Sequence, residues 1–222
     1  IVIDTTSPVI EFGKGTKQDG LTLSGRNIYV NVSVSEENVK NISFRIYNES
    51  GLINKTTYNQ KSDTNWTGLE DGTYWYNVTV YDKVNKSDST GTRSLTLDNT
   101  PIDIDLLTLK NSTIVNEVTP ILKINIEGAA KSVWYTVDRG QNNKTICNNC
   151  GNNKTVNLHL EEGLQEVTVY VNDSAGNIGK NTTNFVIDPN SLHYDNFSDN
   201  SSIKEYNNIE WQKGAISYSL PK

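Results

Sequence analysis

The sequence predicts an all-β chain of two tandem β-sandwiches followed by an incomplete third β segment, and three observations carry that expectation. First, Leu69-Glu-Asp-Gly-Thr-Tyr-Trp-Tyr-Asn-Val-Thr-Val-Tyr-Asp82 recurs 91 residues later as Leu160-Glu-Glu-Gly-Leu-Gln-Glu-Val-Thr-Val-Tyr-Val-Asn-Asp173. Second, apolar residues alternate with polar ones in both copies: Tyr74, Tyr76, Val78 and Val80 in one, Val167, Val169 and Val171 in the other. A period of two describes a strand with one buried face. Third, Ile, Val, Thr and Tyr are abundant, Pro and Gly fall at the joints, and no long stretch has helical spacing.

The echo extends beyond that turn. At the same offset Lys40, Ile42, Phe44 and Ile46 align with Lys131, Val133, Tyr135 and Val137, and with a one-residue shift Val30, Val32 and Val34 align with Leu122, Ile124 and Ile126. Each copy ends in a strand running into a polar or proline joint, Leu95-Thr-Leu-Asp-Asn-Thr-Pro101 and Phe185-Val-Ile-Asp-Pro189, and Ile1-Val-Ile-Asp-Thr-Thr-Ser-Pro8 has the same form with no repeat before it. A length of 222 residues suits two small units of this kind better than one large core. The expected division is therefore 8–98 and 99–188. Residues 1–7 are the terminal strand of a preceding repeat or a donor strand for another copy, and 189–222 the start of a third β-domain or a C-terminal extension.

Taken in order, the first repeat opens with Val9-Ile-Glu-Phe12, passes through turn residues at 13–20, and continues in a strand over 27–35 with Ile28, Val30, Val32 and Val34 inward. Residues 48–67 are polar, with Ile53 and Tyr58 as their few apolar positions, and read as short edge strands and loops. After the turn at 69–72, Tyr74 is placed to return its hydroxyl to the backbone upstream, as the corner tyrosine of an immunoglobulin F strand does. Gln165 stands at the aligned position, so the second repeat has that corner absent or replaced. The second repeat runs through Ile102–Leu109, Pro120–Ile126 and a strand over 131–138. A loop of Asn, Gly and Lys then covers 139–155, and Val156–Leu160 follows with His159 outward.

The turn before a Val-x-Val strand, the segment Val171-Asn-Asp-Ser-Ala-Gly-Asn177 after it, and the Asp-Pro joints resemble the tandem immunoglobulin-like repeats of prokaryotic surface proteins. Trp134-Tyr-Thr-Val-Asp138 looks like the C strand of such repeats. Asp82-Lys-Val-Asn-Lys86 departs from the pattern by lacking the glycine of the Ala-Gly-Asn turn. The resemblance covers about residues 8–188 and implies two tandem immunoglobulin-like β-sandwiches. In that family such repeats serve as stalks, adhesin shafts, S-layer components or filament subunits, here with an archaeal cell surface as the setting.

Composition narrows the function. A formal charge of −6 with no Lys/Arg cluster excludes a nucleic-acid surface. No apolar run is long enough to span a membrane, and the absence of Met means that residue 1 is not a translation start, which predicts a signal or upstream region. The sharpest signal is asparagine. With 30 Asn, and Ser plus Thr at 42 of 222 positions, chance places about six Asn-x-Ser/Thr acceptors. The sequence has 14: Asn31, Asn41, Asn48, Asn54, Asn65, Asn77, Asn85, Asn111, Asn143, Asn153, Asn172, Asn181, Asn196 and Asn200. Such sites accept N-linked glycan in a secreted or surface protein, so the expected location is extracellular and the expected partners are glycans and neighbouring domains or copies.

No nucleophile triad, phosphate loop or framed carboxylate pair is present, and an enzyme is not expected. His159 and His193 have no ligand-spaced companions, which excludes zinc with Cys147 and Cys150. Those two cysteines read as a local disulfide pinning a loop tip. No cofactor is expected beyond the one metal alternative, Ca2+ at the joints, since Asp4, Asp98, Asp103, Asp105 and Asp188 lie near the linkers; the competing role for such residues is capping local backbone amides. By strand phase Trp75, Tyr81, Trp134 and Tyr170 face outward, and Trp75 and Trp134 are candidates for stacking on sugar or on a partner. The composite expectation is a non-enzymatic, glycosylated structural or adhesive segment, with a filament subunit joined head-to-tail by strand addition and a carbohydrate-binding module as alternatives.

Overall fold

The computed structural model describes residues 4–190, together with the backbone of 211–212 and 215–216, which pair antiparallel. The chain is all-β among these residues. The first repeat contains β1 (Val9–Phe12), β2 (Leu21–Leu23), β3 (Asn27–Ser35), β4 (Val39–Asn48), β5 (Gly51–Tyr58), β6 (Asp63–Thr67), β7 (Gly72–Asp82), β8 (Ser87–Ser89) and β9 (Arg93–Leu97). The second contains β10 (Ile104–Leu106), β11 (Ile114–Val115), β12 (Ile121–Ile126), β13 (Ala129–Thr136), β14 (Lys144–Gly151), β15 (Lys154–Asn157), β16 (Gly163–Asn172) and β17 (Ile178–Ile187).

Both repeats fold into the same two-sheet immunoglobulin-like sandwich. In the first, β1-β3-β6 face β2-β9-β7-β4-β5, with β8 also on β7; in the second, β10-β12-β15 face β11-β17-β16-β13-β14. All pairings are antiparallel except two. β2 lies parallel to β9 and β11 lies parallel to β17, so a short early strand crosses to the opposite sheet and pairs with the last strand of its repeat. Sandwiches limit exposed edges in this way by letting one strand serve both sheets.

The alternation seen in the sequence builds the cores. Ile28, Val30, Val32, Ile42, Phe44, Ile46, Tyr74, Tyr76, Val78, Val80, Leu95 and Leu97 close the first, and Leu122, Ile124, Ile126, Val133, Tyr135, Val167, Val169, Val171, Phe185 and Ile187 the second. Each cluster draws its residues from one repeat only. Trp66, on β6, is an addition that the polar reading of 48–67 passed over. It is buried and lies 6.5 Å from the Tyr76 ring, which meets Phe12 edge-on at 5.7 Å. Within the same stretch, β5 is a continuous eight-residue edge strand with Ile53 exposed.

The turns are also shared. Tyr74 Oη donates to Glu70 O at 2.9 Å, the expected corner, and Gln165 Nε2 donates to Glu161 O at 2.9 Å from the aligned position. The corner in repeat two is thus replaced by an amide that makes the same bond. Tyr74→Phe should cost about 1 kcal/mol, the net worth of one such bond, and lower the Tm of the first repeat by several degrees in calorimetry. Gln165→Ala should cost less, because its bond is exposed to water. The turn after β7 forms despite its missing glycine, since Asn85 adopts the positive φ of 69° where the aligned Gly176 has 96°. Asn tolerates the left-handed region better than other side chains with a Cβ.

Residues 139–155 are not the continuous loop expected from their composition. β14 runs through them as the edge of the five-stranded sheet, with Val133 opposite Cys147 and Ala130 opposite Cys150. Cys147 and Cys150 are joined by a disulfide inside this strand, and both pack on the second core. It therefore braces an edge strand rather than a loop tip.

Candidate functional site

Three features outside the two cores could carry function: the sequon asparagines, the outward aromatics and the acidic residues at the ends of the sandwiches. Of the fourteen acceptor asparagines, Asn196 and Asn200 lie outside the described residues, as do His193 and the Ile1–Ile3 part of the donor-strand reading. Among the twelve described, Asn54, Asn65, Asn85, Asn111, Asn143 and Asn153 are exposed and Asn31, Asn41, Asn48, Asn77, Asn172 and Asn181 are half-buried. They sit on strands and turns of both repeats.

Period-two alternation puts the sequon residues Asn31 and Ser33 of β3, Asn41 and Ser43 of β4, and Asn77 and Thr79 of β7 on the face away from the core, and two of the hydroxyls are nevertheless not open to solvent. Asn31 and Ser33 follow the expectation, but Ser43 and Thr79 are buried. Ser43 shares a hydrogen bond of 2.9 Å with Thr57 on β5, and Thr79 receives one of 2.8 Å from Arg45 Nη1 and shares another of 2.8 Å with Ser89. The outer face of β4 and β7 is roofed by polar neighbours that satisfy one another, which period-two reasoning cannot see. Asn181 is committed further: its Nδ2 donates to Ile104 O at 2.7 Å, and buried Thr183 donates to Leu109 O. Asn54 and Asn111 use only Oδ1, accepting from Thr56 Oγ1 and from Asn184 N.

The aromatics are half-buried rather than freely presented. Trp134 on β13 stands opposite Tyr170 on β16, and the rings stack 5.4 Å apart with 7° between their planes. One face of each ring is therefore occupied by the other. Trp75 lies opposite Tyr47 and Ser94 in the same sheet.

The joint between repeats is braced by hydrogen bonds. Asn99 exchanges bonds with Gly25 (N to Oδ1 at 2.8 Å, Nδ2 to O at 3.1 Å), and Asp71 accepts from Asn99 Nδ2 at 2.6 Å and Asn99 N at 3.0 Å. Those bonds, led by the Asn99 amide side chain, hold the Asp71 carboxyl below its usual range. Across the joint, Asn177 Nδ2 reaches Asp98 O at 2.9 Å and Ser24 N reaches Ala175 O at 3.0 Å. The Ala-Gly-Asn turn of repeat two is thereby seated on the end of repeat one.

Among the described residues, no three of the joint aspartates bring carboxylate oxygens within 4.8 Å of one another. Asp98 Oδ1 caps Thr100 N and Asp188 Oδ1 caps Asn190 N, each at 3.0 Å, while Asp103 and Asp105 are exposed. Asp4 behaves differently. Its Oδ1 accepts from Thr6 N and Thr6 Oγ1, which hold its carboxyl below the usual range, and its carboxylate meets those of Glu36, after β3, and Asp82, at the end of β7. Of this trio the sequence singles out only Asp4, as one of the joint aspartates; Glu36 and Asp82 join it through the fold, since the three are far apart in the chain.

No protein family and no curated protein matches the sequence. Among solved structures, the chain is similar to the fibronectin(III)-like modules of Clostridium thermocellum CbhA at 15% identity, over 84% of this chain and 98% of that one, with a TM-score of 0.46. A marsupial T cell receptor matches at 11% identity over 82% and 73% of the two chains, TM-score 0.48. A structure of a 1.5-MDa bacterial ice-binding adhesin matches at 13% identity over 83% and 66%, TM-score 0.38. No helix among the described residues is long and apolar enough to cross a membrane.

Proposed function

We propose that the chain is a non-enzymatic, N-glycosylated structural or adhesive segment of an extracellular surface protein, in which two sandwiches act as rigid spacers and glycans shield their faces. The observation that carries this reading is the sequon set: more than twice the chance number, and none of the twelve described asparagines buried. A covered joint supports it as well, because Asn99, Asp71 and Asn177 restrict bending between the units. Attached sugar on edge strands such as β5, which carries Asn54, would also block edge-to-edge aggregation.

Glycopeptide mass spectrometry on protein from its native source tests the reading. Occupancy should be high at Asn54, Asn65, Asn85, Asn111, Asn143 and Asn153, and absent at Asn181, whose amide nitrogen and Thr183 hydroxyl are already engaged. Fewer than about five occupied sites of the fourteen would sink the shielding role.

A further inference from the structure

We propose that Asp4, Glu36 and Asp82 form a calcium site at the end of the first sandwich opposite its joint with the second. Their carboxylate ligand atoms all lie within 4.8 Å of one another. Three negative groups so close repel strongly unless a cation sits among them. Proximity alone does not make a site; the state of Asp82 is the second observation. Asp82 is fully buried, and while Oδ1 accepts from Val84 N at 2.9 Å and Lys86 N at 2.7 Å, Oδ2 is sealed from solvent with no hydrogen-bond partner. A buried carboxylate oxygen without a partner is costly and calls for a ligand.

The second repeat supplies an internal control. Asp173 occupies the position of Asp82, and its Oδ1 caps Gly176 N and Asn177 N in the same manner. Its Oδ2 is satisfied by the Asn177 side-chain amide at 2.8 Å. Lys86 replaces that asparagine in the first repeat, so the amide is gone and the buried oxygen is left without a hydrogen-bond partner. The Lys86 ammonium acts on Asp4 through space but makes no ion pair within 4.0 Å among the described residues. An all-oxygen, three-carboxylate donor set from separate segments suits the large, flexible coordination sphere of Ca2+ better than the rigid octahedron of Mg2+. Bound there, the ion ties the segment that enters the repeat, through Asp4, to the turn after β3 and the end of β7. The Asn177 amide does the equivalent work by reaching Asp98 O at the other joint.

Titration calorimetry with CaCl2 on the whole EDTA-treated chain tests the site. One Ca2+ should bind with a Kd of about 1 mM or tighter, the range of extracellular modules, and a hundredfold excess over Kd should raise the Tm of the first repeat by roughly 10 °C. Asp4→Asn and Glu36→Gln, both at half-exposed positions, should each weaken binding tenfold or more, and the Tm in EDTA should not fall but hold or rise, because each removes one of the repelling charges. Asp82→Asn should abolish binding, but it also touches the turn, so the first two variants decide. No binding at about 10 mM CaCl2, an unchanged affinity in both variants, or equal affinity for MgCl2 would each overturn the assignment. The result does not depend on glycosylation, so its failure leaves the proposed surface role standing.

Discussion

Phe44→Ala is expected to unfold the first repeat selectively. The ring is fully buried on β4, opposite Val78 of β7 and edge-on to Tyr58 at 6.0 Å. Removing it loses the transfer energy of the ring and leaves a cavity that a two-sheet core cannot close, a cost of about 3–5 kcal/mol. Small domains hold only about 5–15 kcal/mol in total, so the first transition should fall by well over 10 °C. The second core shares no residue with the first, and its transition should stay in place. Calorimetry of the whole chain separates the outcomes: two transitions that fall together would show that the repeats unfold as one unit.

Gly179→Ala should be the most damaging single-methyl change in the second repeat. A Cβ at this position would lie 2.0 Å from Ile102 O and 3.0 Å from Val171 Cγ1. The reason is space and not φ: β17 begins where the linker past Pro101 crosses it, and only a residue without a side chain lets the two backbones approach. Relief requires moving the linker, which also disturbs the Asn181 bond to Ile104 O. The expected loss is about 3 kcal/mol, at the upper end of overpacking costs. Gly91→Ala makes the control, since nothing lies within 4 Å of its added carbon; it should be neutral or slightly stabilising. Equal Tm values for the two variants in thermal denaturation would refute the account.

What the sequence made legible was whatever depends on local period. The inward sets of β3, β4, β7, β12 and β16 follow from alternation, and the corner at Tyr74, with its substitute at Gln165, follows from aligning one repeat on the other. Features that depend on neighbours in space were missed. Trp66 is enclosed by polar residues in sequence, Asn65 and Thr67, and its burial arises only when β6 folds against Tyr76. β14 reads as loop because an edge strand of Asn, Lys and Thr has little apolar alternation to show. Ser43 and Thr79 face outward as phase requires, yet Thr57, Arg45 and Ser89 cover them. The carboxylate trio comes from three separated segments, and no spacing rule relates them.

The parallel pairing of β2 with β9, and of β11 with β17, determines how each repeat answers a pull on its ends. Tension along the chain draws the early strand toward one end and the last strand toward the other, so the hydrogen bonds between them are loaded in shear and share the force instead of unzipping singly. The first repeat has three residue pairs in this patch, Leu21 with Leu95 through Leu23 with Leu97. The second has only two, Ile114 with Val186 and Val115 with Ile187. Both patches run on past these pairs, through Gly20 N to Ser94 O and Asp98 N to Leu23 O in the first repeat and through Ser112 N to Asn184 O, Val186 N to Thr113 O and Asp188 N to Val115 O in the second, so each sandwich would meet a stretch with a sheared patch and not with an edge that opens bond by bond.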